Sequence, residues 1–128
     1  MPPHRKKGRR PRVLFVCAMN KQRSLTAEHL YHDDARIEVR SAGVRSEAKR
    51  RVSAADLRWA DIVFVMEPDH KAWITMRFEE LDLPPIDILD IPDEYGYMAP
   101  DLQEILRLTL DPEINSLVAA GLNHGRQT

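Results

Sequence analysis

The sequence contains a single cysteine, Cys17, among its 128 residues. An internal disulfide is therefore excluded, and a cysteine-cluster metal site has no basis. Aromatic residues make up 6% of the chain, and no apolar run approaches the roughly 18 residues that a membrane-spanning helix needs. The remaining composition, 43% hydrophobic and 30% charged, is typical of one globular domain. Any thiol chemistry must use Cys17.

Positive charge is concentrated at the start of the chain. Six of the 19 basic residues lie within the first twelve positions, which leaves 13 basic against 20 acidic residues in the remainder. We predict a disordered basic tail over residues 1–12 and one domain over residues 13–128. No apolar stretch of the kind found in secretory signals follows these charges, so we expect a cytoplasmic protein with no membrane contact.

Hydrophobic periodicity predicts strands that alternate with helices. Two continuous apolar runs, 13–16 and 62–66, an alternating segment, 37–42, and a short segment, 86–89, are typical of strands. Helical spacing follows each of them, beginning near Ser24, Ser53, Pro68 and Pro100. This order predicts an α/β doubly wound three-layer sandwich with a central sheet of about four parallel strands.

Three details of the helices follow from residue type. Ser24 or Thr26 is predicted to cap the first helix, and Ser53 is predicted to cap the second. Pro112 is predicted to break or kink the last helix, leaving 114–122 as a separate helical piece, because proline cannot donate the helical hydrogen bond.

The segment from Cys17 to Ser24 joins a predicted buried strand to a helix, and it contains cysteine and arginine in a C-x5-R pattern. A loop of this size can direct successive backbone N–H groups and a helix N-terminus at one anion, and the same field stabilises a thiolate. Arg23 can hold two phosphoryl oxygens with its planar guanidinium. The alternative is that Cys17 only packs at a strand end and that Arg23 is a solvated helix start.

The run VLFVCAMNKQRS, together with Ser41-Ala42-Gly43, resembles the low-molecular-weight protein tyrosine phosphatase family. The resemblance implies a phosphotyrosine phosphatase I-like fold that requires no metal or other cofactor. It also implies that Cys17 is the nucleophile, that Arg23 binds phosphate, that Ser24 supports the thiolate, and that Ser41 braces the loop through Asn20. The implied phosphate-binding loop consists of Cys17, Ala18, Met19, Asn20, Lys21, Gln22, Arg23 and Ser24.

Two carboxylates compete for the role of general acid that the family resemblance implies. Asp93 is favoured, because placing it there also puts Tyr95 on the family's substrate-stacking aromatic position. Asp90, which is nearer the strand end, is the alternative. Such an acid typically contributes about 10²–10⁴-fold to the rate.

The chain also departs from the family pattern. The segment after Gly43 is shorter than is usual in the family by about twenty residues, which would remove a helix and part of the substrate-facing wall. A second cysteine common in the family loop is replaced by Lys21 or Gln22. The proline that usually follows the serine is replaced by Leu25.

The sequence therefore predicts a phosphate-monoester hydrolase that acts through a cysteinyl-phosphate intermediate. The resemblance implies a protein tyrosine phosphatase, and the substrate is expected to be a phosphorylated protein or a small phosphate monoester. The alternative is a non-catalytic module that binds phosphoanions or nucleic acid with the same loop and the basic tail. The acidic composition beyond the tail argues against nucleic acid as the main partner.

Overall fold

The computed structural model describes residues 9–126, with side chains described as far as Gly121. Within this range the strands and helices alternate along the chain as β1 (Arg12–Cys17), α1 (Arg23–Tyr31), β2 (Glu38–Gly43), α2 (Ala54–Trp59), β3 (Ile62–Val65), α3 (Pro68–Arg77), β4 (Ile86–Ile88) and α4 (Pro100–Arg126). None of these helices is long and apolar enough to cross a membrane.

The four strands form one parallel sheet in the order β2-β1-β3-β4. β1 is central because its apolar run is buried on both faces, whereas β4 is a short edge strand with an exposed outer half. The predicted parallel sheet is confirmed.

Helices cover both faces of the sheet. On one face, Phe15 and Phe64 pack with Leu102 and Leu106 of α4 and with Ala27 of α1. On the other face, the apolar residues of α2 and α3 pack against the sheet residues that point the opposite way: Leu14, Val16, Val63 and Val65 meet Leu57 and Ile74. Because successive strand residues point to opposite faces, β1 contributes to both cores. The predicted three-layer sandwich is confirmed.

The start of the domain differs from the predicted boundary. Residues 1–8 of the predicted tail lie outside the described residues. Arg12 already belongs to β1, and the guanidinium of Arg9 forms an ion pair with Asp61 at 3.2 Å. Residues 9–12 are therefore part of the folded domain, because their arginines meet acidic groups at the edge of the sheet.

The predicted break at Pro112 is wrong. α4 is a single helix from Pro100 to Arg126 that contains Pro112. The proline lies on an exposed face, as does Leu108, whose carbonyl would accept the missing hydrogen bond and can be solvated instead. Leu110 and Ile114, on either side of the proline, are fully buried and anchor both halves of the helix.

The capping prediction is confirmed for Ser53 and wrong for the first helix. The Ser53 hydroxyl accepts a hydrogen bond from the Asp56 amide in a capping box. α1 instead begins at Arg23 with Gln22 as the N-cap residue and no side-chain cap. The hydroxyls of Ser24 and Thr26 are directed elsewhere, the first toward Cys17 and the second toward the amide of Met98.

Candidate active site

The loop from Cys17 to Ser24 leaves the carboxyl end of β1, where the sheet order reverses between β2 on one side and β3 on the other. Ligands in open α/β sheets bind at such a switch point. A cavity of about 180 Å³ opens here, and it is lined by Cys17, Ala18, Met19, Lys21, Gln22, Arg23 and Asp93. The C-x5-R loop and one of the two candidate acids thus meet at one place.

A directed hydrogen-bond network supports Cys17. The side-chain nitrogen Nδ2 of Asn20 donates to the hydroxyls of Ser24 at 3.0 Å and of Ser41 at 2.8 Å. Ser41 in turn donates to the carboxylate of Glu28. Ser24 accepts from Asn20, so its own hydrogen is available to Cys17 Sγ at 3.0 Å, with the Ala42 carbonyl farther away at 3.4 Å. A thiolate at Cys17 can accept this hydrogen, because the sulfur is the nearer of the two acceptors.

The loop curls through a backbone conformation that few residues adopt. Asn20 has a φ of 53°, in the left-handed region that asparagine tolerates better than most residues. Gly43 passes so close to the loop that an added Cβ would lie 2.6 Å from the Ala18 carbonyl oxygen and 2.8 Å from the Asn20 amide nitrogen. The glycine is therefore required by close approach of two backbone segments.

The short segment 44–51 holds the outer side of the loop. It follows β2, leads to α2 and contains no helix. Three of its amides donate to successive loop carbonyls: Val44 to Cys17 at 3.1 Å, Arg45 to Ala18 at 3.0 Å, and Lys49 to Met19 at 3.0 Å. With its carbonyls engaged in this way, the loop has its amides free to turn toward an anion.

The guanidinium of Arg23 is held by two hydrogen bonds. Its side chain is 2% exposed, and its Nη1 donates to the Glu67 carboxylate and to the Ile91 carbonyl, both at 2.6 Å. These bonds use both hydrogens of Nη1, so the N–H groups on Nε and Nη2 remain available for phosphoryl oxygens. Nε lies 3.8 Å from the carboxylate of Asp93.

The two candidate acids lie in different surroundings. Asp93 lines the cavity with Cys17, and its side chain is 60% exposed. Asp90 is exposed, has a φ of 60°, and is not among the residues that line the cavity. The structure places Asp93, and not Asp90, in the cavity that Cys17 lines.

Solved structures with the same architecture include three from bacteria. YfkJ from Bacillus subtilis matches with a TM-score of 0.67 and 17% identity, over 88% of this chain and 97% of that chain. A low-molecular-weight protein tyrosine phosphatase from Streptococcus pyogenes matches with a TM-score of 0.66 and 14% identity, over 84% and 93%. The chain has the low-molecular-weight protein tyrosine phosphatase fold. The YwlE arginine phosphatase from Geobacillus stearothermophilus matches with a TM-score of 0.53 and 27% identity, over 91% and 93%.

No family model and no curated protein sequence matches this chain. The predicted phosphotyrosine phosphatase I-like fold is confirmed by the solved structures.

Tyr95, a predicted site residue, lies outside the cavity that Cys17 lines. Tyr95 is half-buried and packs against the α1/α4 core, and it is not among the residues that line the cavity. Its proposed role as a stacking aromatic is not reflected in this arrangement of the side chains.

Two carboxylates that support the loop of residues 17–24 were not predicted from the sequence: Glu67, which holds Arg23, and Glu28, which holds Ser41. A signal for Glu67 was present, because it follows the buried strand β3 at the same sheet edge as Cys17. Glu28 gave no signal beyond its place on a helix.

His70 lies behind Glu67 and was also missed. The Glu67 amide donates to His70 Nδ1 at 3.1 Å, which closes a capping box at the start of α3. Burial is the main cause that lowers the pKa of His70, with Arg23 and Arg45 acting in the same direction and Asp69 and Glu67 opposing them. The neutral ring is the form that can accept this hydrogen bond.

Proposed function

We propose that this chain hydrolyses phosphate monoesters, with phosphotyrosine in proteins as the preferred substrate class. The observation that carries the proposal is the meeting of Cys17, Arg23 and Asp93 in one small cavity at the switch point of a phosphatase fold. A site that only bound anions would gain nothing from a carboxylate in its cavity, so Asp93 favours catalysis over the binding-module alternative.

In the first step, the Cys17 thiolate attacks phosphorus and the bond to the leaving oxygen breaks. A protonated Asp93 gives its proton to that oxygen, so the alcohol leaves neutral. The loop amides and the Nε and Nη2 hydrogens of Arg23 hold the three other oxygens as charge shifts in the transition state. Glu67 and the Ile91 carbonyl keep the guanidinium oriented for this purpose.

In the second step, Asp93 accepts a proton from water as the water attacks the cysteinyl phosphate. The sulfur–phosphorus bond breaks, inorganic phosphate leaves, and the thiolate returns to its hydrogen bond with Ser24. Because Ser24 already accepts from Asn20, its hydroxyl is oriented to stabilise the departing sulfur.

Lys21 separates two substrate classes. The Streptococcus neighbour is a tyrosine phosphatase and the Geobacillus neighbour an arginine phosphatase. Lys21 lines the cavity of this chain. A tyrosyl ester presents a neutral ring to this cation, whereas phosphoarginine presents a guanidinium that the cation repels. We therefore propose phosphotyrosine as the better substrate.

The test is release of p-nitrophenol from its phosphate ester in the presence of a chelator, with the Cys17→Ser variant alongside. We expect hydrolysis that is insensitive to the chelator and is lost in the variant. Inorganic phosphate should still bind the variant, as measured by calorimetry, because the loop amides and Arg23 are unchanged.

Turnover that persists in Cys17→Ser would show that Cys17 is not the nucleophile. Phosphate binding by a wild-type protein that shows no hydrolysis between about pH 5 and 7 would favour the binding module. A higher kcat/KM for phosphoarginine than for phosphotyrosine would contradict the role given to Lys21.

A further inference from the structure

Three exposed cations around the cavity have no ion-pair partner. Lys21, Arg45 and Lys49, named here the cationic rim, form no salt bridge within the described residues. Elsewhere in residues 9–121 the basic side chains are mostly matched, in salt bridges (Arg9, Arg10, Arg12, Arg23, Arg36, Arg40, Arg50) or over aromatic rings (Arg51, Arg77, Arg107).

The rim residues are held beside the loop of residues 17–24, which we call the phosphate loop. Lys21 lies in the loop and lines the cavity. Arg45 and Lys49 belong to the segment 44–51, and the backbone amide of each is bonded to a loop carbonyl at 3.0 Å. Arg45 also lies close enough to His70 to help lower its pKa, as Arg23 does. Lys21 therefore lines the cavity, and Arg45 and Lys49 are held beside the loop that forms it.

Two open hollows lie beside the loop, and each contains one rim cation. The first, of about 520 Å³, meets the cavity at Ala18 and includes Arg45. The second, of about 560 Å³, shares no lining residue with the cavity; it includes Asn20 of the loop and Lys49, together with Arg40 and Arg50. An extended chain that placed a phosphorylated residue in the cavity could run into the first hollow, which the cavity meets at Ala18.

The phosphoryl group does not need the rim, because Arg23 and the loop amides already provide its donors. We propose that the cationic rim recognises acidic side chains that flank the phosphorylated residue, so that the substrates are acidic phosphorylated segments of proteins. This inference rests on the proposed function. Flanking residues on an extended chain are about 3.3 Å apart along the strand, so aspartate or glutamate within a few positions can reach the hollows.

The charges around the rim favour a peptide over a nucleic acid. Glu47 and Asp69 share the first hollow with Arg45, and Asp93 lies in the cavity itself. A continuous phosphate backbone would be repelled by these carboxylates, whereas a separate acidic side chain can bind one cation at a time. The chain beyond its first twelve residues is also acidic, with 13 basic against 20 acidic residues.

The experiment compares kcat/KM for matched phosphotyrosine peptides whose flanking positions are all glutamate or all glutamine. We expect the wild-type protein to prefer the acidic peptide by on the order of tenfold at low salt, since each exposed pair contributes a small factor. The preference should shrink when salt is raised toward 1 M, where the screening length is about 3 Å.

The double variant Arg45→Gln/Lys49→Gln should lose most of this preference. The ratio of the two kcat/KM values is the readout, because it cancels any general change in activity. The matched control is Arg58→Gln/Arg77→Gln, which removes two positive charges from α2 and α3 without touching the rim, and it should keep the preference.

The outcomes separate the two proposals. If p-nitrophenyl phosphate is not hydrolysed by the wild-type protein, the proposed function fails. If that ester is hydrolysed but the two peptides react equally, or if the rim variant keeps the preference, the inference is wrong. A 5′-phosphorylated oligonucleotide that reacts with a higher kcat/KM than the acidic peptide would also overturn it.

Discussion

The two loops that form the cavity are built in opposite ways. The phosphate loop, residues 17–24, has three successive carbonyls bonded to segment 44–51 and a side-chain network through Asn20. The acid loop, residues 90–99, is tied mainly at its ends, where the Ile91 amide donates to Met66 at 2.8 Å and the Met98 amide donates to Thr26 Oγ1 at 2.9 Å.

This difference matches what each loop must do. The phosphate loop must aim several donors at one anion, and a preorganised cradle does this without reorganising during the reaction. In the proposed reaction, the acid loop delivers a proton to leaving groups of different shape, and the exposed Asp93 side chain can adjust to them. The cavity thus combines a fixed half with an adaptable half.

The largest effect should come from the acid loop. We expect Asp93→Asn to lower kcat by about 10²–10⁴-fold for esters with poor leaving groups, because no proton is donated to the leaving oxygen. For p-nitrophenyl phosphate, whose leaving group needs little protonation, the loss should be much smaller. Steady-state kinetics on a series of aryl phosphates measures this dependence.

Asp90→Asn is the control for that prediction, because it makes the same chemical change in the same loop outside the cavity. It should leave the leaving-group dependence unchanged. The opposite pattern, with Asp90 controlling the poor leaving groups, would assign the acid to Asp90.

A pair of glycines compares the two loops directly. Gly43→Ala should destabilise the protein by about 1–3 kcal/mol and reduce turnover, because the new Cβ meets the backbone of the phosphate loop. Gly96→Ala, in the acid loop, should change the free energy of unfolding by less than about 0.5 kcal/mol, because nothing lies within 4 Å of the added carbon. Urea denaturation measures both. Equal effects would break the comparison between a fixed and an adaptable loop.

The smallest effect is expected at His70, which accepts a hydrogen bond from the amide of Glu67, the residue that holds Arg23. The pKa of His70 is lowered from its ordinary value of 6.5, chiefly by burial, so the unfolded chain binds this proton more readily than the folded one. The free energy of unfolding should therefore be unaffected by His70 above that value and should decrease as the pH falls below it. Protonation would also replace the acceptor in the capping box with a donor.

The measurement is urea denaturation of the wild type and of His70→Gln between about pH 5 and 8. Glutamine can still accept from the Glu67 amide at this position. The difference in unfolding free energy between the two proteins should shift in favour of the variant as the pH falls. A difference that does not vary with pH would contradict the role given to His70.

The strands could be predicted because their signal is local. Val13–Val16 and Ile62–Val65 are apolar without alternation, and only a strand buried on both faces needs such a run. Pro112 shows where local signals fail. Its helix continues because Leu110 and Ile114 are buried against a sheet that is distant in sequence, and packing outweighs propensity there.

The sequence alone determined the order of elements and the chemistry of the loop, because hydrophobic periodicity and the cysteine-to-arginine spacing are properties of neighbouring residues. Only the tertiary structure decided which carboxylates serve the loop. Glu67 and Asp93 both contact Arg23, although they lie 44 and 70 positions after it in the sequence. Such contacts depend on how parallel strands assemble at one sheet edge, and no local pattern specifies them.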